Sequence, residues 1–337
     1  MIPDSQLPDS QLPDSLLSSL IDLHRHLEGT LRVATTLELA RRDGHALASA
    51  PDPEDLLVAR GPLGGLLPYL AKVDAAPSAF SRPEDWVRAA RECVQDAAAD
   101  GLDYLEVRFS PAFIRQETGL AAEAVIDAVA DGVRSASAES GLPVALIGIL
   151  LRDLGPARAH DQMSVLLSRR DAFCAVDLAG NEAGVPAAEF ADAFARARDA
   201  GLHVTVHAGE AAGPFSVWDA VRHLGAERIG HGVRSVEDPA LLEHLAARGI
   251  TLEVALTSNL HTSVAPSYRA HPIHRLLAAG VPVALATDDP RTSAITLSGE
   301  FAVAATEAGL TGAQLTRIAA DAQAAAFALP ATRTEVR

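Results

Sequence analysis

The segment Gly201-Leu202-His203-Val204-Thr205-Val206-His207-Ala208-Gly209-Glu210 contains the unit from which the fold is predicted. Gly201 is typical of the residue that ends a helix, and the β-branched alternation of 203–207 is typical of a strand. The same order recurs along the chain, with a glycine at 101, 141, 249 and 280 shortly before another apolar run. Helical patterns precede these glycines. Alternating helices and strands favour a parallel sheet.

Eight segments have the composition of strands. They are Ser19–His26, Tyr104–Phe109, Val144–Leu150, Phe173–Leu178, His203–His207, Arg228–Ile229, Thr251–Val254 and Val283–Thr287. Eight strands that alternate with helices predict a (β/α)8 TIM barrel. Residues 32–102 are too long for one crossover helix and predict extra helices that cap the barrel mouth. The residues after Asp289 predict a helical pair that continues through Ala328. One domain is expected over 19–337.

Composition restricts the function. The chain has 337 residues, 48% of them hydrophobic, which suits a barrel of about 250 residues with insertions. Its net charge of −16 disfavours nucleic acid and anionic membranes as partners and leaves a small molecule. The longest apolar run, Leu142–Leu151, has half of the about 20 residues that a membrane helix needs. The two cysteines predict no disulfide framework, so a reducing, cytoplasmic location is expected.

The N-terminus carries a repeat. The sequence Pro3-Asp4-Ser5-Gln6-Leu7 recurs at 8–12 and nearly again at 13–17. It lacks the basic region and the long apolar core of a secretion signal. Residues 1–18 are therefore expected to form a flexible tail.

Potential catalytic groups lie where predicted strands end. His24 and His26 share one face of the first strand because successive side chains alternate. His207 ends the fifth strand, His231 follows the sixth, and Asp288 follows the eighth. Active sites of such barrels lie at the carboxyl ends of their strands. One histidine alone is usually structural, but the joint placement of these residues favours function.

Three imidazole nitrogens and one aspartate oxygen suit a borderline cation such as zinc. With four groups on the metal, Glu210, His231 and Asp289 remain for proton transfer. A partly desolvated carboxyl at Glu210 would stay protonated and act as a donor. Metal-assisted hydrolysis of a small molecule is the predicted chemistry. Among the other histidines, His203 is expected to fill the barrel interior, whereas His261, His271 and His274 are expected to be solvated.

Seven ordered segments carry a resemblance to a known family. They are Ile21–Gly29, Glu106–Pro111, Asp177–Gly180, His207–Glu210, Arg228–Gly232, Thr257–Asn259 and Thr287–Asp289. Over roughly residues 20–330 the chain resembles the adenosine deaminases, a family with a (β/α)8 barrel.

The resemblance implies a role for each matching residue. His24, His26, His207 and Asp288 would ligate one zinc ion. Glu210 would protonate the purine at N1, and His231 would orient or deprotonate the attacking water. Four residues would contact the substrate: His26, Glu28, Gly180 (through its backbone, at N3) and Asp289 (at the N7 side). The implied reaction converts adenosine and 2′-deoxyadenosine into inosine and 2′-deoxyinosine plus ammonia, a step of purine salvage.

One position departs from the family pattern. Adenosine deaminases usually have Asp where this chain has Glu28, and that Asp accepts the ribose 5′-hydroxyl. One methylene shifts a carboxylate by roughly an ångström, which matters for positioning. Glu at this position is similar to adenine and aminofutalosine deaminases, which are the alternative. Hydrolysis of an ester by two metals on a carboxylated lysine is a second alternative, for which the chain offers only Lys72. A binding protein without activity is a third.

Overall fold

The structure is a computed structural model that describes residues 20–329. The N-terminal repeat, and with it the tail expected at residues 1–18, lies outside the described residues. No helix within 20–329 is both long and apolar enough to cross a lipid bilayer.

Eight parallel strands form one sheet in the order of the sequence. They are β1 Ile21–His26, β2 Tyr104–Phe109, β3 Val144–Leu151, β4 Ala175–Ala179, β5 His203–Ala208, β6 Arg228–His231, β7 Thr251–Val254 and β8 Val283–Leu285. Just beyond β8, the backbone N–H of His26 donates to the Asp288 carbonyl, and the N–H of Asp288 donates to the His24 carbonyl, both at 2.8 Å. These bonds join the first strand to the last, and the predicted (β/α)8 barrel is confirmed.

Helices surround this barrel. Within the described residues they are α1 Val33–Asp43, α2 Pro53–Leu57, α3 Leu66–Val73, α4 Pro83–Ala99, α5 Pro111–Thr118, α6 Ala122–Ser140, α7 Ala159–Ser168, α8 Ala191–Asp199, α9 Pro214–Asp219, α10 Pro239–Arg248, α11 Leu256–His261, α12 Ile273–Ala278, α13 Leu297–Thr306 and α14 Gly312–Ala325. Several begin with proline in the first turn, where a missing N–H costs no hydrogen bond. Apolar side chains between the strands and these helices form the main core.

The segment between β1 and β2 only partly caps the barrel mouth. The Ala59 N–H donates to the carbonyl of Thr292, in the loop after β8, and the Leu63 N–H donates to the carbonyl of His261, at the end of α11. In α3, the Tyr69 hydroxyl lies 2.8 Å from Ser293 Oγ, so α3 does cover the mouth. Helix α4 instead packs against α6 in the outer layer. The predicted extra helices exist, but the expectation that all of them cap the mouth is wrong.

The C-terminal helices α13 and α14 confirm the predicted pair, and the residues after them close the opposite end of the barrel. The Arg228 guanidinium lies 3.6 Å from the centre of the Phe327 ring, and the Phe327 N–H donates to Glu106 Oε1 at 2.7 Å. His203 stacks on Phe327 and pairs with Glu227. The side chain of His203 is exposed, so the expectation that it fills the interior is wrong. As the first residue of β5, it extends beyond the barrel's N-terminal end.

Candidate metal centre and active site

Four ligand groups converge at the carboxyl end of the barrel. One ligand atom of each of His24, His26, His207 and Asp288 lies within 4.8 Å of the others. His26 Nε2 lies 3.2 Å from His24 Nε2 and 3.1 Å from His207 Nε2. Asp288 Oδ1 lies 3.1 Å from His24 Nε2 and 3.3 Å from His26 Nε2. The structure thus brings together the four residues that the sequence analysis assigned to a metal.

The spacing of these atoms fits a small cation. Tetrahedral ligands at about 2.0–2.1 Å from zinc lie roughly 3.3 Å from each other, which is close to the observed separations. Burial lowers the pKa of His26 to about 4 and also lowers the pKa of His207. Lowered pKa values favour the neutral rings of His26 and His207, which offer the lone pairs that a metal needs. The residues present therefore fit a divalent metal ion.

Two carboxylates orient the imidazoles from behind. His24 Nδ1 lies 2.9 Å from Glu253 Oε2, and His207 Nδ1 lies 2.9 Å from Asp177 Oδ2. Each carboxylate accepts a proton-bearing Nδ1, which leaves the Nε2 lone pair directed at the centre. Sequence reasoning missed the role of both carboxylates. Their inward position in β7 and β4 was one available signal, and Asp177 also begins one of the segments that resemble the family.

The same carboxylates are held ionised by buried arginines. Arg108 donates to Asp177 Oδ2 at 3.0 Å and to Glu253 Oε2 at 2.8 Å. Burial alone would raise the pKa of Glu253, but Arg108 and Arg228 hold it well below its usual value. Burial would also raise the pKa of Asp177, but the nearby His207 and Arg108 outweigh this effect and lower it.

Backbone strain accompanies two of the predicted functional residues. Asp288 and His231 both have φ near +60°, a region that costs of order 1 kcal/mol or more for a residue with a side chain. The second oxygen of Asp288 accepts from Ser258 Oγ at 2.6 Å and lies 3.9 Å from His231 Nε2. The strained turns therefore bring His231 beside the ligand cluster without making it a ligand.

Glu210 is a buried acid beside this cluster. Its Oε2 lies 3.6 Å from His231 Nε2, and its Oε1 has no hydrogen-bond partner among the described residues. Burial, then the charges of Asp288 and Glu182, raise the pKa of Glu210 well above its usual value. The Glu182 carboxylate accepts hydrogen bonds from the backbone N–H groups of residues 209–212 and so fixes the turn that carries Glu210. Sequence reasoning gave Glu182 no role.

Two further carboxyl groups face the same space. Asp289 is buried, and a side chain at Gly29 would place its Cβ 1.9 Å from Asp289 Oδ1, so this approach requires glycine. Burial and then Asp288 raise the pKa of Asp289 well above its usual value. Glu28 Oε1 accepts from the Ser110 N–H at 2.8 Å, and burial raises the pKa of Glu28 to about 7. Glu28 Oε2 and Asp289 Oδ1 have no partner among the described residues.

Gly180 lies in the turn after β4, at a position that favours glycine. Its φ is +96°, and a Cβ there would lie 2.1 Å from Asp153 Oδ2. A residue with a side chain would therefore disturb the turn after β4.

A cavity of about 440 Å³ opens beside Glu210. It is lined by Gly65, Leu66, Glu210, Ala211, Val233, Arg234, Val236, Glu237, Thr262, Ser263, Val264 and Pro272.

Two histidines expected to be solvated are buried. His271 is 2% exposed and lies 3.1 Å from Asn259 Oδ1, whereas His261 lies 3.3 Å from Ser293 Oγ. His274 is half-buried, with Nε2 3.1 Å from the Ala308 carbonyl oxygen. The expectation is wrong because this segment folds against the barrel mouth instead of forming an open loop.

Comparison with known proteins identifies the family. The family model for adenosine deaminase matches residues 20–337. This chain belongs to the adenosine deaminase family. An adenosine deaminase of Serratia proteamaculans is 46% identical over 303 residues, which cover 88% of this chain and 90% of that protein. One from Klebsiella pneumoniae is 45% identical over 300 residues, with 88% and 90% covered. The chain is therefore a hydrolytic deaminase, and the resemblance seen in its motifs is confirmed.

Solved structures share this fold at lower identity. Adenine deaminase from Arthrobacter aurescens has a TM-score of 0.86 and 26% identity, with 92% of this chain and 94% of that chain covered. An amidohydrolase from Burkholderia ambifaria with bound zinc has the same TM-score and identity, with 93% and 87% covered. The N6-methyl-AMP deaminase from Arabidopsis thaliana has a TM-score of 0.79 and 28% identity, with 94% of each chain covered.

Proposed function

We propose that this chain uses one zinc ion to deaminate adenosine and 2′-deoxyadenosine to inosine and 2′-deoxyinosine, with release of ammonia. One observation carries the proposal most strongly. Buried Glu210, whose pKa burial raises well above its usual value, lies beside a cluster of three histidines and one aspartate. Relatives called adenosine deaminase, among them one at 46% identity, support this substrate over the alternatives.

His24, His26, His207 and Asp288 would hold the metal. When bound, zinc supplies the Lewis acidity that makes water a nucleophile near neutral pH. Glu253 and Asp177 keep His24 and His207 directed at this position. The lysine alternative has no support, because Lys72 lies in α3 and donates to the Asp55 carbonyl.

Proton transfer falls to Glu210. Because its carboxyl is neutral, Glu210 holds a proton that it delivers to the purine N1, and this makes C6 electrophilic. His231 positions the water that adds to C6. One proton of the added water returns to Glu210 and the other passes to the amino group. The C6–N6 bond then breaks, and the amino group leaves as ammonia.

The remaining residues position the substrate. Asp289, whose carboxyl is buried and has a raised pKa, would face the N7 side of the purine, and the Gly180 backbone would meet N3. His26 borders the substrate as well as the metal. Glu28 Oε2 is the acceptor for a ribose hydroxyl, because Ser110 occupies only Oε1.

The proposal is tested with a substrate panel. Loss of ultraviolet absorbance would be followed with adenosine, 2′-deoxyadenosine, adenine and aminofutalosine, with the bound metal counted in the same preparation. We expect turnover of both nucleosides and about one zinc per chain. Reaction of free adenine or aminofutalosine alone would replace the proposed substrate with the alternative.

We also propose that residues 19–337 form one domain and that the enzyme is cytoplasmic and does not bind nucleic acid. The net charge of −16 supports the last point, because phosphate backbones repel such a protein.

A further inference from the structure

Three hydrogen bonds link the start of α12 to His231. The backbone N–H of Ile273 donates to His271 Nδ1 at 3.1 Å. His271 Nε2 lies 3.1 Å from Asn259 Oδ1, and Asn259 Nδ2 lies 3.1 Å from His231 Nδ1. The side chains of the three connected residues are buried, with at most 2% of each residue exposed. Water therefore does not compete for these bonds.

The hydrogen bond from Ile273 determines which atom donates in each of the other two bonds. A backbone N–H only donates, so His271 Nδ1 must carry a lone pair. Burial lowers the pKa of His271 to about 3, and the neutral ring then has its single proton on Nε2. That proton is donated to Asn259 Oδ1. The amide of Asn259 is thereby oriented with Nδ2 toward His231, where it donates to Nδ1.

We propose that Asn259 and His271 are positioning residues that keep Nδ1 of His231 unprotonated and its ring proton on Nε2. This inference rests on the proposed function, and it decides between the two roles that the family resemblance implies for His231. Nε2 faces Glu210 and Asp288 and presents a hydrogen-bond donor there. His231 thus orients the attacking water by donating to it and does not remove its proton.

The tautomer is measured directly by nitrogen NMR on zinc-loaded protein with 15N-labelled histidine. The signals of His231 are assigned by their loss in His231→Gln. We expect an unprotonated Nδ1 and a protonated Nε2. A proton on Nδ1 would overturn the inference. This readout needs no substrate, so it stands even if the substrate panel rejects adenosine.

Variants test whether the two positioning residues act through the tautomer. Asn259→Asp replaces the donor with an acceptor, so we expect the His231 proton on Nδ1 and a loss of kcat of about 10²-fold. His271→Leu removes the bond that orients the amide and should cost roughly 10-fold in kcat. His271→Gln keeps both an acceptor and a donor, and kcat should stay within about 3-fold. KM should change little in all three.

His274→Gln is the matched control, because His274 lies in α12, close in the chain to His271, but contacts the Ala308 carbonyl. It should leave kcat and the His231 signals unchanged. If Asn259→Asp leaves the His231 signals of the wild type in place, the inference is wrong. Equal losses of kcat in His271→Leu and His271→Gln would also contradict it, because a merely structural role would not distinguish them.

Discussion

Buried carboxyl groups inside the barrel and at its mouth have opposite electrostatic environments. In the interior, Glu253 and Asp177 pair with arginine and histidine, and their pKa values are lowered. At the mouth, Glu210, Asp289 and Glu28 have no arginine partner within residues 20–329, and their pKa values are raised. Each of these three keeps one oxygen without a partner among the described residues.

The carboxyl groups of the two regions are buried to a similar degree, so their neighbouring side chains decide whether each is charged. Interior carboxylates are permanent anions that neutralise arginines and orient histidine ligands. Each carboxyl group at the mouth has one oxygen without a hydrogen-bond partner among the described residues. That oxygen is available to bind a substrate. Strongly raised pKa values in a cleft are typical of functional sites.

The largest expected effect follows from removing the proton at the mouth. Glu210→Gln keeps the shape of the side chain but supplies no acidic proton, so kcat should fall by roughly 10²–10⁴-fold. Zinc content and the melting temperature should stay close to those of the wild type. Near-normal turnover would remove Glu210 from the mechanism.

Removing an interior carboxylate should instead lower the affinity for the metal and the free energy of unfolding. Glu253→Gln weakens the orientation of His24, and we expect zinc affinity to fall roughly 10–100-fold. It also leaves Arg108 and Arg228 with an incomplete set of partners, which should cost about 3–5 kcal/mol of unfolding free energy. Chelator competition and denaturant titration measure the two effects.

Glu227→Gln is the control for this change, because Glu227 pairs with His203 on the exposed side of the barrel. It should alter stability by less than about 1 kcal/mol. Equal effects of the two substitutions would contradict the assigned role of the interior anions.

The pH dependence of turnover should report the neutral mouth carboxyl. The active form carries a proton on Glu210, so kcat/KM should fall about tenfold per pH unit once the pH rises above the raised pKa of this group in the free enzyme. In Glu210→Gln that alkaline decline should be absent. If the variant retained the same decline, the titrating group would be a different one.

The smallest expected effect concerns the ribose. Glu28→Gln replaces a carboxyl oxygen with an amide, and we expect KM for adenosine to rise roughly 3–10-fold with little change in kcat. KM for 5′-deoxyadenosine, which lacks the hydroxyl, should not change. A parallel rise for both nucleosides would place Glu28 away from the ribose.

The sequence predicted the functional residues at the barrel mouth better than those in the barrel interior. His24, His26, His207 and Asp288 were identified because barrel strands end at one rim, a property of the topology alone. The role of Glu253 was missed, since which inward side chains of separate strands meet depends on register and strand tilt.

Histidines away from the strand ends were harder to predict. Alternation gives the face of His203 but not its depth, and it lies beyond the barrel end. His271 lies before a short helix whose burial has no periodic pattern in the sequence. Its partner Asn259 was quoted in a family motif, yet only the structure shows the bond between them.

The central claim is that Glu210 is a neutral acid at neutral pH while the interior carboxylates are ionised. Infrared difference spectra at pH 7 between the wild type and Glu210→Gln would test it most directly. We predict a protonated-carboxyl band that disappears in this variant and persists in Glu253→Gln. A carboxylate band lost in Glu210→Gln instead would show that Glu210 is ionised and would contradict the account.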